Sequence, residues 1–242
     1  SVSNAQRRLL PELDWVKTVY PGVPTDLFRP TFQSGSYLLF LDGFCAQKRA
    51  DRAIEIALQS GLPLKIVGVL EKTDLPYFQN TLTPLLRNNS QIEWRRELSE
   101  KEKQTLLENA LAVLSPTENP EPYNLALIEA MACGTPVIAF PTKCAEEIIS
   151  QGENGYLASS VEEAVSALRE FTPLLRRRTY GFFLNRFTVQ TMAAEYADLY
   201  EMARNAHFLA VLQVLERGDV AVQLHVADFR IGLGAADRRV EL

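Results

Sequence analysis

The sequence is poor in the residues that most often announce a function. It has three cysteines, Cys45, Cys133 and Cys144, in 242 residues. An odd number without CxxC spacing supports neither a disulfide framework nor a zinc cage, and Cys133 and Cys144 read as small packing residues. The two histidines, His207 and His225, both lie beyond residue 206, which leaves the body of the chain without imidazole catalysis. No stretch reaches the roughly 18 apolar residues of a membrane span. The opening SVSNAQRRLLPELDW lacks the unbroken apolar run of a signal peptide. Positive charge is not in excess either: 25 Lys and Arg stand against 30 Asp and Glu, a net charge of −5, so no grip on nucleic acid or an anionic membrane is expected. A reducing, cytoplasmic setting fits this composition. The chain does not begin with Met, and we read it as a fragment.

What is present is an apolar skeleton. Hydrophobic residues make up 47% of the chain, and they recur in short runs: SYLLFLD (36 to 42), PLKIVGV (63 to 69), QIEW (91 to 94), ALAVLSP (110 to 116) and PVIAF (136 to 140). Short strands that are apolar throughout belong to a parallel sheet covered on both faces. Helical patterns fill the gaps. Ala53, Ile54, Ala57 and Leu58 form one stripe ahead of Gly61, and Ser99 with Glu102 has the spacing of a capping box. A long terminal helix carries Val189, Met192, Ala193, Tyr196, Leu199, Tyr200 and Ala203 on one side. The fold class is therefore α/β, a Rossmann-like doubly wound parallel sheet, with ligands expected outside the carboxyl ends of the strands. No GxGxxG follows the first strand, which disfavours a dinucleotide oxidoreductase. Residues 1–35, with Pro11, Pro21, Pro24 and Pro30, read as an extended lead-in or linker, 36–205 as the domain, and 206–242 as a tail with a short helix and an alternating strand at 220–226.

The stretch NPEPYNLALIEAMACG (119 to 134) concentrates the chemistry. A helix starting near Pro122 or Tyr123 would offer free N–H groups and its dipole to an anion, placing a phosphate at Tyr123, Asn124 and Leu125. Glu121 stands at the mouth of that helix and Glu129 lies further in. Their separation corresponds to about 12 Å of rise and about 80° of rotation, too far for a paired acid and base. It suits a ligand with hydroxyls at both ends and phosphates between. The bland alternative is a helix-start acid in Glu121 and a satisfied half-buried acid in Glu129. By itself Lys48 reads as a solvated helix-start lysine. No paired-aspartate strand end offers a metal site.

EPYNLALIEAMACGTPVIAF resembles the signature of the family 4 glycosyltransferases, retaining enzymes of the GT-B fold. YPGVPTDLFRP, SYLLFLDGFCAQKRADRAIEIA, GENGYLASSVEEAVSAL and RFTVQTMAAEYADLYEMA extend the resemblance over about residues 1 to 205. The likeness implies the C-terminal, donor-binding half, with an N-terminal acceptor-binding half expected as partner. The ligand is a nucleotide-sugar donor used as substrate, with no separate cofactor and an acceptor left open. It implies that Glu121 contacts the donor sugar, Glu129 holds the ribose, Lys48 neutralises the diphosphate, and Gly43, Tyr123, Asn124 and Leu125 line the donor. Three departures stand out. Asp42 and Gly43 replace the family's glycine and arginine, Asn124 replaces a glycine, and PTKCAEEII keeps Glu147 as its clearest match. Arg95 or Arg96 then becomes a candidate replacement cation. The chain alone is expected to be inactive in transfer, and the rival reading is a truncated or decayed module that binds nucleotide or a partner without catalysis.

Overall fold

The computed structural model describes residues 1–96 and 98–216. Six strands form one parallel sheet in the order β3-β2-β1-β4-β5-β6. They are β1 (Tyr37–Leu41), β2 (Leu64–Val67), β3 (Ile92–Arg95), β4 (Ala110–Ser115), β5 (Val137–Ala139) and β6 (Gly155–Leu157). The chain runs outward from β1 to β3, then returns to place β4 on the other side of β1, which makes the β1/β4 boundary the point where winding reverses. All six strands sit where apolar runs or the GENGYLAS segment predict them.

Ten helices are described. They are α1 (Asn4–Leu9), α2 (Ala50–Ser60), α3 (Leu75–Tyr77), α4 (Thr83–Asn88), α5 (Glu100–Asn109), α6 (Leu125–Ala132), α7 (Lys143–Ile148), α8 (Val161–Ala167), α9 (Pro173–Arg186) and α10 (Val189–Glu216). A π-helical turn, Phe78–Leu82, links α3 to α4. Because successive strand residues face opposite ways, Leu38 and Phe40 join the core under α2 and α8, whereas Tyr37 and Leu39 join the core under α5, α6, α7 and α9. Each buried Leu or Phe contributes about 1.5 to 3 kcal/mol, so the two faces together carry the fold. Ser99 and Glu102 form the predicted capping box at α5.

Close approach between strands is visible at Gly68, where a Cβ would lie 1.9 Å from the Asp42 carbonyl oxygen. That glycine lets the ends of β1 and β2 converge beneath the site. Gly134 closes α6 with φ +71, a left-handed conformation that favours glycine.

Three expectations need correction. The first 35 residues are not simply extended: Ser3 accepts the Gln6 N–H and so caps α1, a helix too short to show periodicity. This segment is pinned to the body of the fold, because the Asn4 N–H and the Tyr20 hydroxyl each donate to Glu147 Oε2 at 2.9 Å, and Tyr123 donates to the Pro21 carbonyl. On α2, Leu58 is exposed and Ile56 is buried instead, since α8 also packs against this helix. On α10, only Val189, Met192 and Leu199 of the predicted face are partly buried, while Ala193, Tyr196, Tyr200 and Ala203 are exposed.

The described residues divide into two units between Leu199 and Tyr200, a break inside α10 and ahead of residue 205. The helix expected from residue 208 onward is the last part of α10. The strand expected at 220–226, and His225 with it, lies outside the described residues. Among the described residues, no helix is long and apolar enough to cross a membrane.

Candidate functional site

The site lies at the carboxyl ends of β1 and β4. After Leu41 the chain passes Asp42 and Gly43 into a 3-10 turn, Ala46–Lys48. Arg49 then takes φ 56, the one positive φ among the described residues other than glycine. A left-handed conformation costs a side chain roughly 1 to 2 kcal/mol. It is held here by ion pairs from Arg49 to Asp51 and Glu118. The Gln47 carbonyl accepts from the Glu118 N–H at 2.9 Å and from the Thr117 hydroxyl at 3.2 Å, which laces this turn to the loop after β4. The kink and the lacing together aim Lys48 inward.

Lys48 is 9% exposed. Its ammonium donates to Glu121 Oε1 and lies 2.9 Å from Asp42 Oδ2. Two residues remote in sequence, predicted to serve one ligand, are therefore in direct contact. Glu121 also accepts from Asn124 Nδ2 at 3.3 Å.

The helix after this loop begins at Leu125, not at Pro122 or Tyr123. The Pro122 carbonyl is bound by the Ser3 hydroxyl, which keeps residues 121 to 124 in a loop. Asn124 precedes the helix in extended conformation, φ −125, so glycine is not required there, and its side chain turns to Glu121. Asn124 puts no side-chain cap on α6. Tyr123 packs against the core rather than opening to solvent, and burial raises its phenol well above the usual range.

Glu129 sits in the second turn of α6 and is 8% exposed. Its Oε1 accepts from Lys103 Nζ at 2.8 Å, and Lys103 also reaches Glu100 at 3.1 Å. Burial alone would lower the Lys103 pKa, but the hydrogen bonds it donates to Glu129 and Glu100 outweigh that and the pKa rises. Sequence reasoning missed Lys103. The capping-box helix places it on a turn with Glu100, yet nothing in the spacing shows Glu129 beside it.

A cavity of about 460 Å³ has one residue of each charge cluster in its wall, Asp42 and Lys103, together with Gly43, Gly68 and Arg96 among others. Of the two candidate replacement cations, Arg95 is exposed and paired with Glu93 at 2.7 Å, whereas Arg96 lines the cavity. A second cavity, about 280 Å³, opens between α1 and α7 with Glu121 in its wall, beside Ala5, Arg8, Pro120 and Thr142. Cys144 is buried, and burial raises its thiol to about 11. Cys133 is buried as well, which also raises its pKa. Both are packing residues, as expected.

Comparison with known proteins decides the family. The model described as "Glycosyl transferases group 1" matches residues 30–175, more than half of the chain. The chain belongs to that family. A curated relative of this group 1 chain is a probable sucrose-phosphate synthase of Thermosipho melanesiensis, 27% identical over 207 residues, 79% of this chain and 48% of the relative. The chain thus spans about half the length of the curated relatives it matches. Among solved structures, HepE of Anabaena in complex with UDP and glucose shares the fold, with TM-score 0.72, 17% identity, and coverage of 84% of this chain and 62% of that one. The C-terminal domain of a group 1 family protein from Francisella tularensis is matched over its whole length, 100%, and over 69% of this chain, with TM-score 0.58 and 20% identity.

Proposed function

We propose that this group 1 glycosyltransferase chain is the C-terminal, donor-binding half of a retaining family 4 enzyme that moves a hexosyl unit from a nucleotide-sugar to an acceptor. The observation that carries the reading is the convergence of Lys48 and Glu121, 73 residues apart in sequence, at the switch point of the sheet, with Glu129 beyond the cavity that Asp42 and Lys103 share. In this reading Lys48 takes the diphosphate, Glu121 the sugar hydroxyls and Glu129 the ribose, while Gly43, Tyr123, Asn124 and Leu125 shape the loop around the phosphates. Charge develops on the departing diphosphate as the glycosidic bond breaks. A fixed, buried ammonium stabilises that charge without reorganising solvent. The donor is a substrate, and no cofactor or metal enters the scheme.

The acceptor half is expected as a separate, N-terminal partner. Support comes from the share of the relatives spanned and from the existence of a C-terminal domain solved by itself. Residues 36–205 form the nucleotide-sugar domain and 1–35 the linker, the chain alone binds donor without transferring, and the whole enzyme works in the cytoplasm, in keeping with three unpaired cysteines. One observation favours the non-catalytic alternative, a nucleotide-binding or interaction module: Asp42 already holds Lys48.

Calorimetric titration with UDP, GDP and ADP tests the proposal, using the chain and its Lys48→Ala and Glu129→Ala variants. Saturable binding of one nucleotide, weakened by both substitutions, is the expected outcome. Absence of heat with all three, from folded protein, gives first place to the non-catalytic module.

A further inference from the structure

The geometry points to Asp42 as a built-in competitor for the anion site, a carboxylate that occupies the hydrogen-bond donors an incoming phosphate needs. Its Oδ1 accepts from the Gly43 N–H at 2.7 Å, and its Oδ2 lies 2.9 Å from Lys48 Nζ. One backbone N–H and one ammonium, converging on two oxygens of a single anion at the mouth of a cavity, are the complement of a phosphate group. Asp42 satisfies that complement from within the chain.

Its position makes the competition direct. Asp42 and Gly43 both line the 460 Å³ cavity, and Asp42 follows β1 without an intervening residue, so its backbone is fixed by the sheet. The Asp42 N–H donates to the Val67 carbonyl at 3.1 Å, and Gly68 presses against the Asp42 carbonyl from the neighbouring strand. The side chain can swing away, but the backbone cannot. Lys48 meanwhile has Glu121 as a second anionic partner. With Asp42 and Glu121 ionised and Lys48 protonated, this cluster carries a formal charge of about −1 before any ligand arrives, and a phosphate entering it meets repulsion as well as an occupied lysine.

A site of this kind binds phosphates weakly and releases them readily. Asp42 therefore sets the affinity for the diphosphate leaving group, an assignment that rests on the donor-binding reading for the ligand's identity but not for the anion site itself. A purely positioning role makes the opposite prediction, because removing a residue that merely holds Lys48 in place loosens the lysine and weakens anion binding.

The test titrates inorganic pyrophosphate and, separately, UDP, GDP and ADP into the chain and its Asp42→Asn variant, with Asp42→Gly as a second variant and circular dichroism as the check on folding. Removal of the charge is expected to tighten pyrophosphate binding about tenfold. Lys48→Ala in the Asp42→Asn background should erase the gain. Tightening of pyrophosphate with no nucleotide bound more tightly than pyrophosphate would uphold the competitor and sink the donor-site reading. Unchanged or weaker pyrophosphate binding in both folded variants, or no pyrophosphate binding by any form at millimolar concentration, overturns the competitor whatever the nucleotides do.

Discussion

The two poles of the sheet solve the same problem, a cation out of water, in opposite ways. At the amino-terminal pole Arg176, 2% exposed, donates to the carbonyls of Thr31 at 2.9 Å, Ala110 at 2.6 Å and Glu108 at 2.7 Å, and to the Thr135 hydroxyl at 2.9 Å. All four acceptors are neutral. Burial pulls its pKa down to about 10, still far above neutrality, so the guanidinium stays charged. At the carboxyl pole Lys48 and Lys103 each sit between two carboxylates, Asp42 and Glu121 in one case, Glu100 and Glu129 in the other. A cation fixed by backbone carbonyls ties β4 to α9 and the linker and has nothing to exchange. A cation held by side-chain carboxylates has partners that a ligand's phosphates or hydroxyls can replace. The difference separates a charge with only structural partners from one open to a ligand.

The largest expected effect breaks the structural pole. Arg176→Met leaves buried carbonyls without their donor at about 1 to 3 kcal/mol each, so a loss of at least about 4 kcal/mol in unfolding free energy is expected from denaturant titration. A loss below 1 kcal/mol would equate the two poles. Lys48→Ala should do the reverse: unfolding free energy within about 1 kcal/mol of the parent, but nucleoside diphosphate affinity reduced roughly thirtyfold, the equivalent of about 2 kcal/mol for a charge-assisted bond. Glu100→Gln sharpens the contrast within the carboxyl pole. Glu100 is exposed and its pairing with Lys103 is a helix-surface contact, so a change under about 0.5 kcal/mol and a nucleotide affinity within twofold are expected.

Thiol labelling gives the smallest perturbation. Cys133 and Cys144 are buried with raised pKa values, whereas Cys45 is partly exposed beside the turn that carries Lys48. At pH 8 one of these three should react with maleimide in folded protein, with Cys133 and Cys144 following only on unfolding. Labelling of Cys133 in the native state would mean that the amino-terminal pole opens. For pH, the sign at Lys103 is fixed by its raised pKa: its ion pairs contribute below the unfolded lysine value near 10.4 and are lost as pH rises through the higher folded value.

Much of this was legible in the sequence. Strands buried on both faces are written as mostly apolar runs, and β1, β2, β4 and β5 could be placed from that alone, even with Lys65 inside β2 and Ser115 at the end of β4. Lys48, Glu121 and Glu129 were nominated by motif, and the structure puts the first two in contact. What sequence could not show depends on neighbours distant in the chain. Lys103 meets Glu129 only because α5 and α6 pack together. The start of α6 moved to Leu125 because Ser3 holds Pro122. Arg176 is one of three successive arginines, and nothing in that run marks the one whose partners lie on four other segments. Asp42 read as a departure from the family's pattern, but its hold on Gly43 and Lys48 appears only in three dimensions.

The most direct measurement is a crystal structure of the chain with a bound nucleoside diphosphate. The account predicts phosphates on Lys48 and the Gly43 N–H, with Asp42 swung aside, the ribose on Glu129, and the four bonds of Arg176 unchanged. Nucleotide seated elsewhere, for instance in the groove beside Phe78 and Trp94, with Lys48 still held by Asp42 and Glu121, would contradict it.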